Sequence, residues 1–203
     1  MSANAPTQVL AMIATTKTRN IVSLAEFLAQ PETKPACEYL DGYIYQKPMP
    51  KGKHSRIQSR LAREIDQVAE TKRIALAFTE LRCTFAGRSI VPDIAVVRWE
   101  NLPLDADGEI ADRFDRAPDW AIEILSPDQS ASLVMEKILF CLEQGSELGW
   151  MVDPQVKSVS VFRASGLPRV YTIERTPVEP IVMLAGLELW ELSVSELFGW
   201  LKV

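Results

Sequence analysis

The sequence predicts an α/β protein in which helices flank a mixed central β-sheet. Two observations carry this prediction. Amphipathic helical patterns alternate with short apolar runs that have the length of buried strands. The chain has 203 residues, 47% of them hydrophobic and 24% charged, which is the composition of an ordinary globular domain with one core.

The N-terminal part of this pattern begins after a weakly patterned stretch. We expect residues 1–22 to form a flexible extension and residues 23–203 to form the domain. Ser23 and Glu26 have the spacing of a capping box, which predicts a short helix over 24–29. The Asp41-Gly42 pair predicts a hairpin turn within 38–46. An apolar stripe then predicts a long helix over 55–72.

The rest of the chain supplies most of the predicted sheet. Apolar runs predict strands over 75–85, 90–99 and 120–125, with an acidic surface loop over 100–119. A second amphipathic helix is predicted over 131–144, ending at Gly145. Further strands are predicted over 148–152, 156–163 and 169–174, the last two as an antiparallel pair. Ser193 and Glu196 form another capping-box pattern before a C-terminal helix.

Composition also bears on location and on several classes of site. No apolar run reaches the ~18 residues of a membrane helix, and the apolar patch over 9–14 is too short for a secretory signal. We therefore expect a cytoplasmic protein. Cys37, Cys83 and Cys141 form no CxxC pair, which argues against a zinc site or a disulfide framework, and the latter two are expected in the core.

The main anomaly is a charged residue within an apolar strand, and it occurs twice. Glu123 is the one charged residue in the run 120–125, and Asp93 opens the run 94–97. A buried carboxylate needs a cation, hydrogen-bond donors or a raised pKa. Asp93 alone could be a strand-start residue after Pro92, and Glu123 could be half exposed on an edge strand. Their joint occurrence favours a shared site for a hard divalent cation such as Mg²⁺.

Three further residues are candidates for the same site. Glu38 opens the predicted hairpin, although a lone glutamate is more often solvated. His54 is the sole histidine and lies just before the predicted long helix. Lys137 lies at the border of the apolar face of the helix 131–144, where it could extend to water or reach the carboxylates.

Basic residues surround His54, and they bear on nucleic-acid binding. A net charge of -5 counts against a nucleic-acid partner unless positive charge is concentrated locally. Such a concentration occurs here, in Lys47, Lys51, Lys53, Arg56, Arg60 and Arg63. Among them Arg56, Arg60 and Arg63 have the spacing of one helical face, and this stripe could bind phosphates, with a solvated helix face as the equally open alternative.

Longer segments of the chain resemble a known family. Pro92-Asp93 followed by Glu123-Ile124-Leu125 resembles the PD-(D/E)xK signature of restriction-endonuclease-like nucleases, although Leu125 stands where that signature has lysine. Five runs in the same order resemble the Uma-two family of restriction endonucleases. They are EYLDGYIYQKPMP (38–50), GKHS (52–55), RSIVPDIAVV (88–97), WAIEILSPDQS (120–130) and LGWMVDP (148–154).

The resemblance implies a restriction-endonuclease-like fold and a set of site residues. The acidic pair of the family matches Asp93 and Glu123, which would bind Mg²⁺ or Mn²⁺. The lysine displaced to the following helix matches Lys137, the leading glutamate Glu38, and the histidine His54. The sequence departs from the family at Tyr43, where many members have glutamate, and at Leu133-Val134, where many have Asp-Leu. Neither change removes an implied ligand.

The implied function is metal-dependent hydrolysis of phosphodiester bonds in DNA, with Lys51, Lys53, Arg56 and Arg60 as nucleic-acid contacts. Two alternatives stay open: a binding module that has kept this fold without catalysis, and a hydrolase of a smaller phosphorylated substrate. Three aromatic residues late in the chain suggest a homodimer, although they could equally belong to the core. They are Trp190, Phe198 and Trp200.

Overall fold

The computed structural model describes residues 22–127, 129–174, 180–188 and 190–202. The predicted N-terminal extension lies outside the described residues except for Val22. The first part of the described chain contains α1 (Leu24–Leu28), β1 (Cys37–Leu40), β2 (Tyr43–Gln46), α2 (Gly52–Ala69), β3 (Ala75–Thr79), β4 (Cys83–Phe85), β5 (Arg88–Ile90) and β6 (Ile94–Arg98). After a short 3₁₀ helix (Trp99–Asn101) follow β7 (Trp120–Ile124), α3 (Ala131–Glu143), β8 (Leu148–Asp153), β9 (Ser158–Arg163), β10 (Arg169–Thr172) and α4 (Val194–Gly199).

These strands form two sheets. The larger sheet has six strands in the order β10-β9-β8-β7-β6-β3, and the smaller has four in the order β2-β1-β5-β4. In the larger sheet β7 and β8 are parallel, and their neighbours pair antiparallel. The helix α3 connects the two parallel strands, as a crossover between parallel strands requires. The predicted α/β class with a mixed sheet flanked by helices is confirmed.

The core lies on both faces of the larger sheet. On one face Ile57, Leu61 and Ile65 of α2 are fully buried against the sheet, where Trp120 and Trp150 meet edge to face. The same core cluster contains Phe198, with Trp190 and Trp200 packed against it, so the core alternative for these aromatic residues holds. The helix α3 covers the opposite face. None of the helices within the described residues is long and apolar enough to span a membrane.

Most predicted turns and helix ends agree with the structure. Both capping boxes form, each with its serine accepting from the glutamate amide three residues later. Asp41 and Gly42 have φ values of 51° and 88°, and they connect paired strands as a two-residue type I′ hairpin turn does. The predicted antiparallel pairing of β9 with β10 is also present.

Three predicted boundaries were wrong. The long helix begins at Gly52, so His54 lies in its first turn instead of before it. The single strand predicted over 75–85 is β3 and β4, which belong to different sheets, because the chain turns at Glu80 with a φ of 54°. The strand predicted over 90–99 is also interrupted, because Pro92 has no N–H for a sheet ladder.

Candidate active site

The two predicted carboxylates lie side by side at the centre of the larger sheet. Asp93 directly precedes β6 and Glu123 lies on β7, one position beyond the last paired residues, Ile94 and Ile122. Both side chains are almost completely buried. The strand β7 has β6 and β8 as neighbours, so the edge-strand alternative for Glu123 was wrong. Asp93 does start a strand, but its carboxylate points into the protein.

Asp93 is held by two basic side chains and one backbone amide. The Lys47 Nζ atom lies 2.6 Å from Oδ1, while His54 Nε2 at 3.0 Å and the Ile124 N–H at 2.7 Å contact Oδ2. Burial by itself would raise the pKa of Asp93, but the charge of Lys47 and the contact with His54 outweigh it and lower that pKa. Asp93 is therefore an anion throughout the physiological pH range.

Lys137 forms the second half of the site. Its side chain is buried instead of extending to water, and Nζ lies 2.9 Å from Glu123 Oε1. The same ammonium donates to both Glu38 oxygens at 2.9 and 3.0 Å. Burial would lower the pKa of Lys137, but the two glutamates outweigh it and raise that pKa, so the ammonium keeps its charge.

Glu38 connects the two sheets at this point. It lies on β1 of the smaller sheet with only 4% of its surface exposed, so the solvated alternative was wrong. Its Oε1 atom accepts from the Val91 N–H at 2.9 Å as well as from Lys137. The carboxylate of Glu38 thus fixes the position of the Lys137 ammonium.

Glu123 is the least stabilised charge in the group. Burial raises its pKa to about 7, against the opposing effect of Lys137. Among the described residues, Lys47 pairs with Asp93, and Lys137 pairs with both Glu38 and Glu123. The ammonium of Lys137 is thus shared between two carboxylates.

Comparison with known proteins shows the family to which this chain belongs. The model of the Uma2 family, described as "Putative restriction endonuclease", matches residues 24–195. The chain belongs to the Uma2 family. A crystal structure from Anabaena variabilis, described as "a putative nuclease belonging to DUF820", is similar over 89% of this chain and 99% of that one, with 47% identity and a TM-score of 0.85. Among curated proteins, none matches.

The structure of this Uma2 chain adds two site residues that the sequence did not single out. Lys47, assigned only to the basic stretch, is buried and also donates to the Val91 carbonyl at 2.8 Å. Gln58 donates to the Asp93 carbonyl at 2.8 Å and to Glu80 at 3.0 Å. Gln58 lies one helical turn after His54 on the buried face of α2, and this spacing was the available signal.

The four predicted nucleic-acid contacts fall into two groups. Arg56 donates to the Trp200 carbonyl at 3.1 Å, and the Arg60 guanidinium lies 5.7 Å from the centre of the Trp200 ring. These two arginines therefore attach the C-terminal helix to α2. Lys51 and Lys53 are exposed at the N-terminal end of α2, the end that carries His54.

The donor chemistry of the site fits a hard divalent metal. Carboxylate oxygens are the preferred ligands of Mg²⁺, which fills its remaining positions with water and substrate phosphate. Glu123 shares its ammonium partner Lys137 with Glu38, so a cation beside Glu123 would meet a carboxylate that has no lysine of its own. Within the described ranges, no set of three or more His, Cys, Asp or Glu residues is arranged to hold a metal, because the carboxylates face lysines. The fit therefore rests on Asp93 and Glu123 as a pair.

Proposed function

We propose that this Uma2 chain is a metal-dependent endonuclease that hydrolyses phosphodiester bonds in DNA. The family and the similar crystal structure support a nuclease function. The observation that carries the proposal is the position of Asp93, just before β6, beside Glu123 on the adjacent strand β7, with Lys137 Nζ 2.9 Å from Glu123. Metal-dependent hydrolysis requires groups that position a metal, a water molecule and a phosphate, and two carboxylates with one lysine can do so.

In this proposal Asp93 and Glu123 would hold Mg²⁺ or Mn²⁺. When bound, such a metal polarises the phosphodiester and lowers the pKa of the attacking water. Asp93 is ready for this role because its ionised form is already favoured by Lys47 and His54. Glu123, on the neighbouring strand, would supply the second carboxylate ligand of the metal.

The lysines supply fixed positive charge beside that pair. Lys137 stabilises the negative charge that develops on the phosphate, or orients the attacking water, from a position set by Glu38. Lys47 holds Asp93 in its ionised form and orients its carboxylate. An ammonium fixed before the reaction costs little reorganisation during it, which makes such placement effective.

His54 and the surrounding basic residues complete the proposal. His54 orients the Asp93 carboxylate through Nε2, and its buried Nδ1 has no partner among the residues described here. It is the candidate for proton transfer, because a neutral imidazole can donate from one ring nitrogen and accept a proton at the other. Lys51, Lys53, Arg56 and Arg60, all on or next to α2, are the proposed contacts to the phosphate backbone.

A second candidate function is a binding module with the nuclease fold and without catalysis. The observation that favours it is that all three carboxylates already have ammonium partners. The net charge of -5 points in the same direction. A metal would then have to displace a lysine before it could bind.

Calorimetric titration with Mn²⁺ separates the two functions. We compare wild type with the double variant Asp93→Asn, Glu123→Gln, and use Asp112→Asn, Glu143→Gln as the matched control, since both of those carboxylates are exposed. The proposal predicts Mn²⁺ binding and DNA cleavage in wild type and control, and neither in the site variant. Absence of Mn²⁺ binding to wild type, with and without DNA, would instead support the binding module. Circular dichroism confirms that each variant is folded.

The cellular compartment and the assembly state are also proposals. We propose a cytoplasmic protein, which fractionation of the source cells tests. A homodimer also stays a proposal, although the aromatic residues that suggested it belong to the core: Phe198 lies in it, with Trp190 and Trp200 packed against it. Light scattering on the purified chain decides the assembly state.

A further inference from the structure

A cavity of about 530 Å³ opens beside one half of the site. Asp93, Lys47 and His54 line it, whereas the fully buried Glu123 and Lys137 are not among its described lining residues. Substrate that enters through this cavity therefore reaches the site at Asp93. The polar atoms of the Asp93–Lys47–His54 group form a charged patch on the cavity wall.

The remaining wall is mostly apolar. Pro48, Met49 and Pro50, which connect β2 to α2, form one side of it. Arg82 and Glu32 lie on the cavity wall as well, but their charged atoms bond each other at 2.7 Å. This apolar wall suits the face of a nucleobase, and the phosphate of that nucleotide would lie beside the ammonium of Lys47 on the charged patch.

The size of the cavity limits what can enter. About 300–1,000 Å³ is the range of pockets that enclose one small molecule, and a single nucleotide belongs to that size class. A phosphate that reaches the nearly buried Asp93 must bring a neighbouring nucleoside into the cavity with it. A nucleotide in a duplex can do so only after it leaves its base pair and its stack.

We propose that this cavity receives one unpaired nucleotide, so that the substrate is single-stranded or locally unpaired DNA instead of continuous duplex. The inference rests on the proposed nuclease function, since it assigns a substrate class to the same site. The exposed Lys51 and Lys53, adjacent in sequence to the cavity residues Pro50 and His54, bind the strand outside.

The test measures binding without turnover. Fluorescence anisotropy in EDTA compares a labelled single strand, the fully paired duplex of the same sequence, and a duplex with an unpaired bulge. We expect the strand and the bulge to bind at least about tenfold more tightly than the duplex, because the duplex must first unpair a nucleotide. Equal affinity for all three substrates would overturn the inference without any variant.

A variant that fills the cavity supplies a second readout. Ala36 lines the cavity and is half-buried, so Ala36→Phe places a ring in the space for the base. Ala36→Phe should lose the preference for unpaired DNA, whereas Ala106→Phe on an exposed loop should keep it. A preference that survives in a folded Ala36→Phe protein places the unpaired nucleotide elsewhere and refutes the assignment.

Failure of the cavity inference and failure of the nuclease proposal give different results. If the wild-type protein binds Mn²⁺ and cleaves single strand and duplex at equal rates, the nuclease stands and the inference fails. If it binds single strands through the cavity but neither binds Mn²⁺ nor cleaves any substrate, the cavity assignment stands and the nuclease proposal fails.

Discussion

Replacing Lys137 with methionine tests how strongly the buried charges depend on one another. The ammonium lies within 3.0 Å of three carboxylate oxygens, two from Glu38 and one from Glu123. Lys137→Met keeps most of the side-chain length but leaves both glutamates without this partner. Breaking a buried ion pair by removing one member costs about 3–5 kcal/mol of unfolding free energy.

Thermal unfolding measures this cost. In a domain of this size 1 kcal/mol shifts Tm by about 2–4 °C, so Lys137→Met should lower Tm by about 6–20 °C at neutral pH. The exposed Lys72 provides a matched control, and Lys72→Met should change stability by less than about 0.5 kcal/mol. Adding Glu123→Gln to Lys137→Met should restore about 0.5–3 kcal/mol, because one uncompensated carboxylate is removed. If Lys137→Met and Lys72→Met unfold at the same temperature, the buried ion-pair network does not exist as described.

Three further predictions concern pH, packing and thiol reactivity. Because burial raises the pKa of Glu123 from 4.5 to about 7, its contribution to stability is present below about pH 4.5 and is lost as the pH rises through 7. Between about pH 5 and pH 8, the unfolding free energy of wild type measured in urea should therefore fall by an amount of the order of 1–3 kcal/mol, and that of Glu123→Gln should fall less. An equal fall in both proteins would contradict this. A Cβ atom on Gly149 would lie 2.2 Å from Ile138 Cγ2, so Gly149→Ala should cost about 1–3 kcal/mol, whereas Gly52→Ala, with open space around it, should not destabilise the protein. Burial raises the pKa of the Cys83 thiol to about 12 and also raises the pKa of the Cys141 thiol. Ellman's reagent should therefore react with Cys37 alone in the native protein and with all three thiols in urea. A second thiol that reacts rapidly in the native protein would refute the burial of Cys83 and Cys141.

The sequence was most informative where charge interrupts an apolar pattern. Asp93 and Glu123 attracted attention for that reason, and the structure brings both into one buried network with Glu38, His54 and Lys137. A buried charge is costly without a partner, so a charge in a strand of core composition indicates that partners exist. The resemblance to the Uma-two family indicated that these five residues belong to one site.

The partners on less regular segments were harder to predict. Lys47 follows β2 in a proline-rich connection where no periodicity indicates whether a side chain points inwards. Its burial depends on Asp93, which lies 46 residues later in the chain. Local sequence carries no information about a contact of this separation, and for that reason Lys47 was assigned only to the basic residues around His54.

The boundaries of strands and helices failed where backbone conformation overrides composition. The run 75–85 is apolar enough for one strand, but the positive φ at Glu80 divides it between two sheets. The first turn of α2 contains Gly52 and no side-chain cap at Lys51, so no capping signal marks its beginning. His54 faces the core because the helix starts early enough to include it.

The division of the site between distant parts of the chain has a consequence for biosynthesis. Glu38 and Lys137 are separated by 99 residues, and the long acidic loop lies between Asp93 and Glu123. A nascent chain that has reached only β6 carries one carboxylate of the proposed metal pair and lacks the lysine of α3. Under the proposed nuclease function, neither segment of the polypeptide carries a complete site, and cutting ability would arise only when a finished molecule folds them together.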